Sequence, residues 1–155
     1  MKINGCPGSQ VMDFRGTNEA ALEATGDIKS QLKQWPIQLH LISPSAPYYS
    51  GADVVLAADC VAYAYGGFHS KFLKDRSIAI ACPKLDEGQD AYVEKITALF
   101  EDARINTLTV ITMQVPCCRG LLALAQDALG KSGRKAPTKH IVISLQGDVL
   151  QEDWI

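Results

Sequence analysis

From residue 37 onward, short apolar runs alternate with segments of helical periodicity, and this alternation limits the chain to very few folds. Gln38-Leu39-His40-Leu41-Ile42 alternates apolar and polar residues as a strand does. Val54-Val55-Leu56-Ala57-Ala58 is a short, continuously apolar run suited to a buried strand. Ser77-Ile78-Ala79-Ile80-Ala81 and Thr107-Leu108-Thr109-Val110-Ile111-Thr112-Met113 read the same way, the second being rich in β-branched residues. His140-Ile141-Val142-Ile143-Ser144-Leu145 predicts the last strand, and the acidic tail beyond it is expected to fray. Between these runs lie three helical stretches. Val61, Tyr65, Phe68 and Phe72 recur at helical spacing, interrupted by Gly66-Gly67. Tyr92, Ile96, Leu99, Phe100 and Ala103 line one face of a helix from about Glu87 to Arg104. Leu121, Leu122, Ala125, Ala128 and Leu129 line another from Cys118 to Leu129.

Strands separated by helices require crossover connections, which are right-handed, so the expected fold is α/β: a mostly parallel central sheet with helices on both faces, a Rossmann-like or flavodoxin-like three-layer sandwich. The chain reads as one domain over 1–155, with an irregular segment at 1–36 and an α/β core at 37–150. In the irregular segment, helices are expected at Glu19–Ala24 and at Asp27–Gln34, the second capped by Asp27 and stopped by Pro36. The formal net charge is −2, and the basic cluster Lys131, Arg134, Lys135 and Lys139 reads as a solvated loop, so no nucleic-acid partner is expected. No apolar run is long enough to span a bilayer, and no secretory h-region follows Met1, so a cytoplasmic location is expected.

That location bears on the five cysteines. Reducing conditions make structural disulfides improbable there and leave core residue, nucleophile or metal ligand as the alternatives. Their positions narrow the choice. Cys60 follows the strand ending at Ala58, Cys82 follows the strand ending at Ala81, and Cys117-Cys118 follow the strand leading into Val115-Pro116. In a parallel sheet the carboxyl ends of strands share one edge, where ligands bind. Cys60, Cys117 and Cys118 also stand at expected helix starts, where the helix field favours a thiolate. Cys6, in the loop Gly5-Cys6-Pro7-Gly8, is a fifth candidate. Lys84 and Arg119 could neutralise an anionic site, whereas Asp86 reads as a helix cap. His40, His69 and His140 read as packed or solvated rather than ligating, and Tyr48, Tyr49, Tyr63 and Tyr65 fit either a pocket or the core. The sulfur-rich set selects zinc, copper(I) or an iron–sulfur cluster. The CxxC knuckles of structural zinc are absent, as are P-loop, dinucleotide-binding and GxSxG motifs.

Five segments, Gly5-Cys6-Pro7-Gly8-Ser9, Gln34-Trp35-Pro36-Ile37-Gln38-Leu39, Ala57-Ala58-Asp59-Cys60, Cys82-Pro83-Lys84-Leu85-Asp86 and Val115-Pro116-Cys117-Cys118, stand in the order found in the cysteine-containing, carboxyl-terminal domain of the 4Fe-4S ferredoxin-type fusion proteins of anaerobes, which this chain resembles over nearly its whole length. The ferredoxin module of that family, with its closely spaced cysteines, is not present in the sequence, and Arg119 stands where a glycine would be usual. A looser similarity links Cys82 and Cys117-Cys118 to the cysteine-rich domains of heterodisulfide reductases, which bind a non-cubane cluster. The resemblance implies an iron–sulfur cluster, 4Fe-4S in type, and an electron-transfer or redox role. The expected ligands are Cys60, Cys82, Cys117 and Cys118, joined by Cys6, with a ferredoxin-like or other redox protein as partner. The alternatives are metal-free thiol chemistry at Cys117 or Cys118, a docking module for a ferredoxin-like protein, and a zinc site.

Overall fold

The computed structural model describes residues 11–13, 15–16 and 27–155. The apolar runs become strands as expected. They are β3 (Asp53–Ala58), β4 (Ser77–Ala81), β5 (Thr107–Met113) and β6 (Thr138–Ile143), while β1 (Met12–Asp13) and β2 (Gln34–Trp35) form a small antiparallel pair upstream. The central sheet has the order β4-β3-β5-β6-β7, with β7 spanning Val149–Trp154. Pairing is parallel from β4 through β6, and β7 closes the edge antiparallel to β6. β3 and β5 are buried along nearly their whole length, as strands covered on both faces must be.

The order of strands dictates the layers. The chain leaves β3 toward β4 on one side, then crosses back over β3 to β5 and continues outward to β6. Right-handed crossovers running in opposite directions deposit their helices on opposite faces. The first connection carries α1 (Val61–Ala64) and a π-helical turn at His69–Leu73. The second and third carry α2 (Gln89–Glu101) and α3 (Arg119–Lys131), which pack against each other. α2 buries Tyr92, Val93, Ile96, Leu99 and Phe100, the stripe its periodicity defines. The expected helix between β3 and β4 is broken in two where Gly66-Gly67 interrupts it.

Three expectations upstream and downstream are corrected. Residues 38–42 form a turn rather than a strand, with Leu41 and Ile42 amides donating to the Gln38 carbonyl at 2.8 and 3.0 Å. The reason lies on α2: the Lys95 ammonium gathers the carbonyls of Leu39, His40 and Ile42 at 3.1, 2.6 and 2.9 Å, and three carbonyls converging on one cation cannot belong to a ladder. Residues 27–33 are not helical, and the expected helix at Glu19–Ala24 lies outside the described residues. The tail does not fray after Leu145. Gly147, at φ +90°, turns the chain so tightly against α1 that a Cβ there would stand 2.5 Å from the Ala64 carbonyl oxygen. β7 then pairs along β6, with Lys139 bonded to Glu152 at 2.7 Å and lying over the Trp154 ring at 4.6 Å.

The open edge of β4 is finished by a side chain. Gln34, only 2% exposed, takes both backbone groups of Ile78: its Oε1 accepts from the amide at 2.7 Å and its Nε2 donates to the carbonyl at 2.8 Å. The backbone of Ile37 and Leu39 then takes the two groups of Ile80, at 2.8 and 2.9 Å. An unprotected edge would invite pairing with another chain. Replacing Gln34 by Leu keeps the volume but orphans the Ile78 amide. We expect a loss of about 2–3 kcal/mol in urea unfolding; a loss below about 0.5 kcal/mol would show that the amide does not hold this edge.

Candidate functional site at the carboxyl edge of the sheet

The reversal of crossover direction falls between β3 and β5, which makes that gap the topological switch point of the sheet, the place where open α/β sheets bind ligands. Cys60 caps α1 directly after β3. Cys117 and Cys118 occupy a 3-10 turn, Pro116–Cys118, directly after β5, and Cys118 is the residue before α3. The turn is closed by the Cys118 amide donating to the Val115 carbonyl at 3.2 Å. Cys60 and Cys117 are exposed, Cys118 is 6% exposed and Cys82 is half-buried. Cys118 interacts with both Cys117 and Cys60, so three thiols from two strand ends meet at the switch point.

Cys82 reaches the same edge from β4. Its loop is drawn tight by Leu85 and Asp86 amides donating back to the Cys82 carbonyl, at 3.2 and 2.9 Å. Pro83 packs on the first turn of α3, where a Cβ added to Gly120 would lie 3.1 Å from the Pro83 Cβ. A side chain larger than hydrogen at position 120 would push this loop away from the Cys117-Cys118 turn. Cys6 lies outside the described residues. Lys84 and Arg119 are both exposed on the loops that carry the cysteines.

The electrostatics at Cys118 differ from the expectation of a thiol activated by a helix start. Burial pushes the Cys118 thiol above its ordinary value; the neighbouring Cys117 and Cys60 add to that effect, and a backbone hydrogen bond from Met113 opposes it. Desolvation of a buried thiolate outweighs the helix field here. At Cys60 the helix that follows has four residues, too short to carry much field.

Beside the thiols is a polar network that the sequence reading missed. Asp86 does not cap α2; that position is Gly88, at φ +68°. The Asp86 carboxylate instead accepts from the Cys82 amide at 2.9 Å and from the Tyr92 hydroxyl, and so fixes the cysteine loop to α2. Burial and the bond to Asp86 raise the Tyr92 phenol. Asp59, between Ala58 and Cys60, is raised by burial and by Asp86, and its Oδ1 is buried with no hydrogen-bond partner among the described residues. The only sequence signal for Asp59 is a carboxylate at the end of an apolar strand, which by itself is common. The histidines serve the frame: His40 bonds the Glu87 carbonyl at 2.6 Å, His69 Nδ1 accepts from the Gln31 amide at 3.0 Å, and His140 meets Thr112 at 2.9 Å. Tyr48 and Tyr49 are core residues, Tyr65 stacks near Phe72, and Tyr63 is exposed.

Comparison with known proteins agrees with this geometry. Residues 46–154, well over half of the chain, match the family described as Rossmann-like domain. The chain belongs to that family. The matched span of this Rossmann-like domain begins just before β3 and runs to the end of β7. An uncharacterized protein of Archaeoglobus fulgidus is 29% identical over 119 residues, covering 77% of this chain and 83% of the relative. No solved structure matches the chain. No helix among the described residues is long and apolar enough to cross a membrane.

The burial pattern predicts an order of thiol reactivity. In the native protein at pH 8, iodoacetamide should modify Cys60 and Cys117 readily and Cys118 at least about tenfold more slowly, as read by peptide mass mapping over time. Equal rates at Cys117 and Cys118 would contradict the placement of the Cys118 thiol.

Proposed function

We propose that the cysteine edge of this Rossmann-like domain binds an iron–sulfur cluster and that the protein is a cytoplasmic redox protein that exchanges electrons with a ferredoxin-like partner. The observation that carries the reading is the meeting of Cys60, Cys117 and Cys118 at the switch point, with Cys82 on the adjoining loop. An all-sulfur donor set is the chemistry that selects soft metals and clusters. Among the described residues, no three ligand-type side chains gather closely enough to hold a single ion. A tetrahedral zinc needs such a gathering, whereas a cluster spreads its thiolates over several irons. Thiols delivered by three separate loops suit the wider spacing, and Cys6 is available as a further donor.

When bound, a cluster of this kind supplies one-electron chemistry. The chain's own residues do the rest. Pro83 and Pro116 stiffen the cysteine loops, Asp86 and Tyr92 anchor the Cys82 loop, and Lys84 and Arg119 place positive charge beside thiolates. The five ordered motifs support the finer assignment to the carboxyl-terminal domain of ferredoxin-type fusion proteins, here acting with a ferredoxin supplied separately.

A metal-free reading is favoured by the contact between Cys117 and Cys118. With the Cys118 thiol raised, Cys117 would be the attacking group and Cys118 the resolving one.

Protein purified without oxygen should contain iron and acid-labile sulfide and show broad visible absorption. Cys60→Ser, Cys117→Ser and Cys118→Ser should each lose most of that iron. Iron-free protein that stays iron-free after incubation with ferrous iron and sulfide would overturn the cluster and leave the thiol pair.

A further inference from the structure

On the face of the sheet that carries α1, a cavity of about 380 Å³ opens between β3, β4 and α1. Its volume is within the range of small-molecule sites. Leu32, Ile37, Phe68, Leu73 and Ile80 supply an apolar wall, and Tyr63 lines it although 94% of that residue is exposed. A large aromatic side chain left so open at the rim of an apolar cavity has a ring face free to cover an occupant.

Two polar groups interrupt the apolar wall, Asp59 and His69. Asp59 Oδ1 is buried and without a hydrogen-bond partner among the described residues, which is costly unless something donates to it. His69 uses Nδ1 to accept from the Gln31 amide at 3.0 Å, so in the neutral ring the hydrogen resides on Nε2, which is a donor. One acceptor and one donor in an otherwise apolar chamber match a hydroxyl, which both donates and accepts. We propose that this cavity is a binding site for a compact aromatic molecule bearing a hydroxyl group, its ring in the apolar chamber and its hydroxyl between Asp59 and His69. The site goes beyond the cluster reading and does not depend on it, because Cys82, Cys117 and Cys118 do not line the cavity.

The test is a fluorine NMR titration of the purified full chain with 4-fluorophenol and, separately, with fluorobenzene, which lacks the hydroxyl. Native protein should bind 4-fluorophenol saturably and about tenfold more tightly than fluorobenzene, the margin of one satisfied buried acceptor. Asp59→Leu should erase that preference. Ala62→Trp, at an exposed position on the cavity rim whose enlargement need not disturb the core, should weaken both probes at least about tenfold by filling the chamber. Equal affinity of the two probes for native protein, or binding that Ala62→Trp leaves unchanged, would overturn the site. Iron content measured on the same samples keeps this outcome separate from that of the cluster.

Discussion

The parallel ladder between β3 and β5, with Asp53 opposite Thr107 and Ala57 opposite Ile111, is the constraint on which the cysteine edge depends. These strands are separated in sequence by a whole further strand and two helical segments, yet their carboxyl ends finish level. Because the chain leaves β3 in one direction and β5 in the other, no connection covers the gap between those ends. The residues that follow each strand are therefore free to face one another. Cys60 and the Cys117-Cys118 turn occupy those positions. A slip of one residue in this register would exchange the sheet's faces and separate the thiols.

The remaining devices terminate the sheet and brace the loops. Gln34 and the backbone of Ile37 and Leu39 finish the β4 edge. On the opposite side, the β6–β7 hairpin supplies the last strand, and its turn abuts α1 through Gly147. The Asp86 carboxylate holds the Cys82 loop, and Gly120 lets Pro83 approach α3. Each brace acts on the carboxyl edge or on a strand that delivers it, so the chain concentrates its least generic contacts where it carries its thiols.

How much of this could be read from sequence follows from where each element gets its stability. β3, β4, β5 and β6 and the helices α2 and α3 carry their own periodicity, and they stand where it places them within a few residues. Residues 38–42 alternate as a strand does, but their conformation is decided by Lys95 on a distant helix, and no local pattern reports that. β7 is polar and acidic, Gln151-Glu152-Asp153, and draws its order from pairing with β6 and from Lys139 rather than from burial. At the site, strand ends alone pointed to the cysteines. Their closeness needed the strand order, and the network of Asp59, Asp86 and Tyr92 needed the tertiary fold, since Tyr92 reads in sequence as one more apolar position on α2.

The convergence of Cys60 with the Cys117-Cys118 turn can be measured directly. Dibromobimane joins two thiols only when they lie within a few ångströms of each other, and tryptic mapping then identifies the joined peptides. Metal-free protein treated in its native state should yield a product linking the peptide that contains Cys60 to the one that contains Cys117 and Cys118. Linkage confined to the Cys117–Cys118 pair, with Cys60 carrying only single additions, would contradict the meeting of these thiols at the switch point.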